Sequence, residues 1–105
     1  MKKEERIKLY DEADVLWGRI AQYDQMIEEM GELIVAINKY KRKCLYGEYK
    51  GNKEVEDNLV EELADVKMCL EQLSIFAGED KVEHMLDVKL NKLKQEIEYM
   101  KSIKK

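Results

Sequence analysis

The 105 residues contain no proline, and apolar side chains recur every three or four positions through four long stretches. Proline is the residue that ends a helix interior, and a period of 3.6 is the helical one. The chain is therefore expected to be all-α. Residues 3–17 place Ile7, Tyr10, Asp14 and Trp17 on one stripe, with Leu9, Ala13 and Leu16 beside it. Gly18 is a natural break. A second helix is expected over 20–44, with Ile20, Tyr23, Ile27, Met30, Leu33, Ile34 and Ile37 as its apolar, core-facing positions. Residues 45–53 interrupt the pattern with Gly47 and Gly51 and read as a loop. A third helix over 54–77 carries Val55, Leu59, Leu63, Val66, Leu70, Leu73 and Ala77 in near-heptad spacing. Gly78 is placed to end it as a C-cap. The last helix, over 80–101, carries Val82, Leu86, Leu90, Leu93, Ile97 and Met100.

Charged residues make up 40% of the chain and aromatics 8%, which reads as long, solvent-faced helices rather than sheet. A hydrophobic content of 45% is enough for a core, so the charge is not a sign of disorder. Residues 1–105 form a single domain in this reading, and dimerisation would help complete its core, because a few helices of this length bury little surface alone. The net charge of −4 argues against nucleic acid or an anionic membrane as partner. Lysines gather at both ends and read as frayed helix ends before they read as a nucleic-acid tail. No apolar run approaches the roughly 20 residues of a membrane span, and the N-terminus lacks the apolar core of a signal peptide. Cys44 and Cys69 fit a cytoplasmic protein as reduced thiols, although spacing leaves a disulfide between them open.

Two segments of these helices carry acids three apart: Glu28-Glu29-Met30-Gly31-Glu32-Leu33 and Glu61-Glu62-Leu63-Ala64-Asp65-Val66. Positions i and i+3 share a helix face. Glu29 and Glu32 thus form one pair and Glu62 and Asp65 another. On the second helix Gln22, Gln25, Glu29, Glu32, Ala36, Lys39 and Lys43 make one strip along the edge of the apolar face. On the third, Asn58, Glu62, Asp65, Cys69 and Gln72 make its counterpart. If the helices pack side by side, four carboxylates converge, and a divalent cation relieves their repulsion. Oxygen-only ligation suits Mg²⁺, with Mn²⁺ as a substitute. The bland alternative is four surface acids paired with lysines one turn away. Glu28 and Glu61 rotate about 100° from their neighbours and are read as supporting residues.

The acids in this order, with Trp17-Gly18 and Gln22 upstream, Lys39-Tyr40-Lys41-Arg42 between them and Gln72-Leu73 after, resemble the MazG-like family of nucleoside triphosphate pyrophosphohydrolases. The resemblance covers roughly the central half of the chain. It implies a four-helix MazG-like bundle whose core is completed in a homodimer or homotetramer. It implies Mg²⁺ held by Glu29, Glu32, Glu62 and Asp65, and attack of water on the α-phosphorus of a (d)NTP to give a monophosphate and pyrophosphate. A role in clearing nucleotide pools in the cytoplasm of a bacterium or a phage-infected cell is the corresponding expectation. Against it stands a non-catalytic helical adaptor, which the near-heptad seam of the third helix would also serve.

For the substrate, Trp17 can stack on a base and Gln22 can read its edge, though a lone Trp in a helical protein more often fills a core. The resemblance places both in the family's substrate-pocket segment. Lys39, on the face of the acids, and Arg42 and Lys43 beside it are candidates for phosphate contact; a basic helix end complementing the macrodipole is the alternative. Lys89 and Lys92 are weaker candidates, and Lys50 and Lys53 are read as solvated. Asn58 lies one turn before Glu62. Cys69 lies one turn after Asp65, where relatives can place a residue that touches the nucleoside. His84 reads as a surface residue. No phosphate loop, zinc motif or nucleophile elbow is present.

Overall fold

In a computed structural model, which describes residues 1–46 and 53–104, the chain forms four helices in order. These are α1 (Lys3–Trp17), α2 (Arg19–Tyr46), α3 (Lys53–Ala77) and α4 (Glu79–Ile103). No strand occurs among the described residues. The all-α expectation is met, and each predicted boundary lies within two residues of the observed one. The middle of the expected loop, with Gly47, Lys50 and Gly51, lies outside the described residues.

Two glycines divide the helices. Gly18 has φ of 85° and donates its N–H to the Asp14 carbonyl at 2.9 Å, closing α1. Gly78 has φ of 110° and donates to the Ser74 carbonyl at 2.9 Å, between α3 and α4. A side chain at either would be strained in that region of φ.

Residues 1–72 form one compact unit and residues 73–105 a second; α3 runs through the boundary. In the first unit α1 is fastened to α3 by a charged clamp. The Arg6 guanidinium donates through Nε to Glu71 Oε1 at 2.7 Å and through an Nη to Oε2 at 3.0 Å. The Tyr10 hydroxyl donates to the same Oε1 at 2.7 Å. Helices α2 and α3 run antiparallel and face one another. Gln22 meets Gln72 near one end, the acids meet in the middle, and Lys43 forms an ion pair with Glu56 toward the other end.

What these helices bury differs from the expectation. The core consists of Tyr10, Met26, Ala36, Val55, Val66 and Cys69, joined by Gln72. On α2 the expected core positions Ile20, Ile27 and Ile34 are 72%, 68% and 61% exposed, and Ile37 is half exposed. The face that meets α3 is instead the one carrying Gln22, Met26, Glu29 and Ala36. On α3, Val55 and Val66 are buried as expected, while Leu63 and Leu70 are half exposed. Hydrophobic period locates a stripe, but two helices that share a polar site turn that site toward each other. In the second unit α4 buries none of its residues; Leu86, Leu90, Leu93, Ile97 and Met100 are each about half exposed.

Candidate metal centre

Glu29 and Glu32 project from adjacent turns of α2, and Glu62 and Asp65 from adjacent turns of α3. Because the helices run antiparallel, Glu29 faces Asp65 and Glu32 faces Glu62. One oxygen from each of Glu29, Glu32 and Glu62 lies within 4.8 Å of the others. Asp65 joins them by lying in hydrogen-bonding range of Glu29. Of the four acids expected to converge, Glu29, Glu32 and Glu62 form the close cluster, and Asp65 lies against Glu29 at its edge.

The electrostatics are those of a site short of positive charge. Partial burial, then Asp65 and Glu32, push the Glu29 carboxyl above its ordinary range, and Gln25, donating at 2.7 Å, offsets only part of this. Partial burial, then Glu32, Asp65 and Glu29, do the same to Glu62. Two carboxylates in contact hold either a shared proton or a cation between them. One oxygen on each of Glu29 and Glu62 (Oε2 in both) is closed off from solvent and has no hydrogen-bond partner. A buried carboxylate oxygen without a partner is costly. An all-oxygen donor set with two such orphans fits a hard divalent cation. The span also suits one, since oxygens on opposite sides of Mg²⁺ stand about 4.2 Å apart. The residues present fit the expected metal.

Beside the acids α1, α2 and α3 enclose a groove of about 790 Å³, within the size range of small-molecule sites. Its walls include Leu9, Ala13, Leu16, Met26 and Met68, and Glu29 and Asp65 close one end. Trp17 stands on its rim, two-thirds exposed rather than in a core. Gln22 and Cys69 also line it. Burial, then Glu29 and Asp65, raise the Cys69 thiol, so it stays neutral. Cys69 and Cys44 are both free, the first buried and the second exposed.

The cationic candidates on α2 lie off the groove. Lys39 and Arg42 are exposed on α2, on the side of the acids away from the groove. Lys39 is seven residues past Glu32, about 10 Å along the axis. Lys43 is engaged with Glu56 and stacks over the Tyr40 ring at 5.4 Å. Asn58 is half buried one turn from Glu62, outside the groove lining. Lys53 opens α3, and Lys89, Lys92 and His84 are exposed on α4. Gln72, placed on the polar strip from sequence but given no role there, also lines the groove. It is only 6% exposed, and its Nε2 donates to Gln22 Oε1 at 2.9 Å. Its place on the strip of Glu62, Asp65 and Cys69 was the available signal.

Compared with known protein families, curated proteins and solved structures, the chain matches none. The MazG-like reading therefore rests on the residues themselves. No described helix is long and apolar enough to cross a membrane.

Proposed function

We propose that this chain is a Mg²⁺-dependent nucleoside triphosphate pyrophosphohydrolase of MazG-like type, converting a (d)NTP to its monophosphate and pyrophosphate. The observation that carries the reading is the pair of solvent-shielded, unpartnered oxygens on Glu29 and Glu62, inside a carboxylate cluster with Glu32 at the end of a nucleoside-sized groove.

In this account the groove takes the base and sugar. Trp17 supplies a stacking face, Gln22 an amide for the base edge, and Cys69 part of the wall. Glu29, Glu32, Glu62 and Asp65 hold the metal where the triphosphate leaves the groove. Lys39 and Arg42 follow along α2 in the direction of the β- and γ-phosphates, with Asn58 near the metal. When bound, Mg²⁺ supplies charge neutralisation for the phosphate oxygens and acidifies water. Water attacks the α-phosphorus and the bond to the bridging α–β oxygen breaks, so pyrophosphate leaves. The apolar walls of the groove exclude bulk water from the nucleoside side. The protein works in the cytoplasm, clearing unwanted nucleotides, as a homodimer or homotetramer that covers the Ile20–Ile27–Ile34 face. Mn²⁺ can replace Mg²⁺.

A second reading, a helical adaptor, draws on the exposed apolar faces of α2 and α4. One experiment separates the two. Purified protein is incubated with Mg²⁺ and canonical and modified (d)NTPs, and pyrophosphate and monophosphate are scored separately with Glu62→Gln as control. Stoichiometric release of both, lost in Glu62→Gln, supports the enzyme. No turnover with either Mg²⁺ or Mn²⁺ refutes it and leaves the adaptor.

A further inference from the structure

From the geometry of the groove we infer that Gln72 is a specificity-determining residue, acting with Gln22 as a two-amide reader of the base edge; this rests on the nucleotide reading above. Gln72 is nine-tenths buried among apolar side chains, yet it is polar and lines the groove. An amide at such a place needs its hydrogen bonds met by protein, water or ligand, and neither of its polar atoms is a solvent-shielded one without a partner. Among the described residues it makes one, from Nε2 to Gln22 Oε1 at 2.9 Å, and neither amide has a further partner.

An amide offers two N–H donors and one carbonyl acceptor. With the Gln22 carbonyl turned to Gln72, Gln22 has its N–H donors free, while the Gln72 carbonyl is left to accept. Turning both amides over exchanges these roles and keeps the bond between them. In either state the pair shows one acceptor beside one donor. The complement is a planar heteroaromatic ring whose edge carries a donor beside an acceptor, as a lactam (–NH–C=O) or aminopyrimidine (N=C–NH₂) does. Trp17 on the rim provides the face on which such a ring stacks. A lone Gln22, free to rotate, would hold an edge with less orientation. The pair couples α2 to α3, so the ring position is tied to the helices that carry the acids.

The test compares wild type, Gln72→Met and Gln72→Glu on two triphosphates: the best natural substrate, and an analogue whose ring lacks donor and acceptor groups on that edge, such as a benzimidazole nucleotide. An unmet buried hydrogen bond typically costs a factor of about ten or more. Gln72→Met should raise KM for the natural substrate by about that factor with kcat little changed. Its KM for the analogue should stay within about twofold of wild type, a pattern that a merely structural loss would not give. Gln72→Glu, which keeps size and acceptor, should retain more of the natural preference than Gln72→Met. Equal losses on both substrates, or none on either, overturn the inference while leaving pyrophosphate release by wild type intact. If wild type turns over nothing, the proposed function fails first. In that case nucleoside binding without metal, followed by NMR shifts in wild type and Gln72→Met, decides whether the pair reads a ring; no Gln72-dependent binding overturns it.

Discussion

Glu71 offers a quantitative check on how the first three helices are held. It accepts from Arg6 twice and from Tyr10 once, and these bonds, the Arg6 bond foremost, lower its carboxyl from 4.5 to about 2. Because the folded value is depressed, the stability it contributes is present above about pH 4.5 and is lost as pH falls toward 2. At about 1.4 kcal/mol per unit the shift corresponds to at most about 3.4 kcal/mol. The side chains of Arg6 and Glu71 are 36% and 26% exposed, so solvent screening reduces this to about 1–2 kcal/mol. Glu71→Gln keeps the volume and removes the charge. Urea denaturation followed by circular dichroism should show it less stable by that amount at pH 7, or lower in Tm by about 4–8 °C per kcal/mol. By the same linkage most of the difference should be gone by pH 3. An equal difference at pH 3 and pH 7, or none at pH 7, would refute the clamp as an electrostatic device. The hydroxyl of Tyr10, its pKa pushed up to about 12 by burial and then by Glu71, stays a donor throughout.

Four further outcomes follow from the site and the uncovered faces. Glu62→Gln should raise the Tm of the metal-free protein above pH 6, because it removes one of four mutually repelling carboxylates. The raised carboxyls of Glu29 and Glu62 should also make metal-free wild type lose stability as pH rises through their titration, and a Tm that climbs steadily over that range would count against the cluster. Trp17→Ala should raise KM for nucleoside triphosphates by about tenfold or more, the usual worth of a stacked base; an unchanged KM would remove Trp17 from the substrate. Ile27→Asp combined with Ile34→Asp should shift sedimentation from dimer or tetramer to monomer, since both side chains are more than 60% exposed in one chain, and a wild type already monomeric at high concentration would contradict the proposed assembly.

Much of the architecture was legible because this chain punctuates its helices plainly. With no proline, only Gly18 and Gly78 stop them in the described residues, and both take the positive φ that a glycine tolerates. The meeting of Glu29, Glu32 and Glu62 was partly legible, because i,i+3 spacing puts each helix's acids on one face, although it does not by itself say that the two faces meet. What failed was the choice of inside. The α2 isoleucines have the stronger apolar signal, yet the less apolar side bearing Gln22, Met26, Glu29 and Ala36 is packed inward. Periodicity carries no information about which neighbour covers a stripe, and a helix built around a polar site can present apolar surface outward. Gln72 was passed over as a member of the polar strip for a similar reason. A neutral amide in a helix looks solvated until a second amide, from Gln22, is brought to it. The groove is a property of three helices together and had no local signature beyond Trp17 and Gln22.

The central claim is that α2 and α3 build one divalent-cation site from four carboxylates. Titration of the protein with Mn²⁺, with free ion counted by electron paramagnetic resonance, tests it most directly. Saturable binding in wild type is predicted, displaced by Mg²⁺ and strongly weakened in Glu32→Gln and Glu62→Gln alike, the two lying on different helices. Binding that both substitutions leave unchanged, or no saturable binding to wild type, would contradict the account.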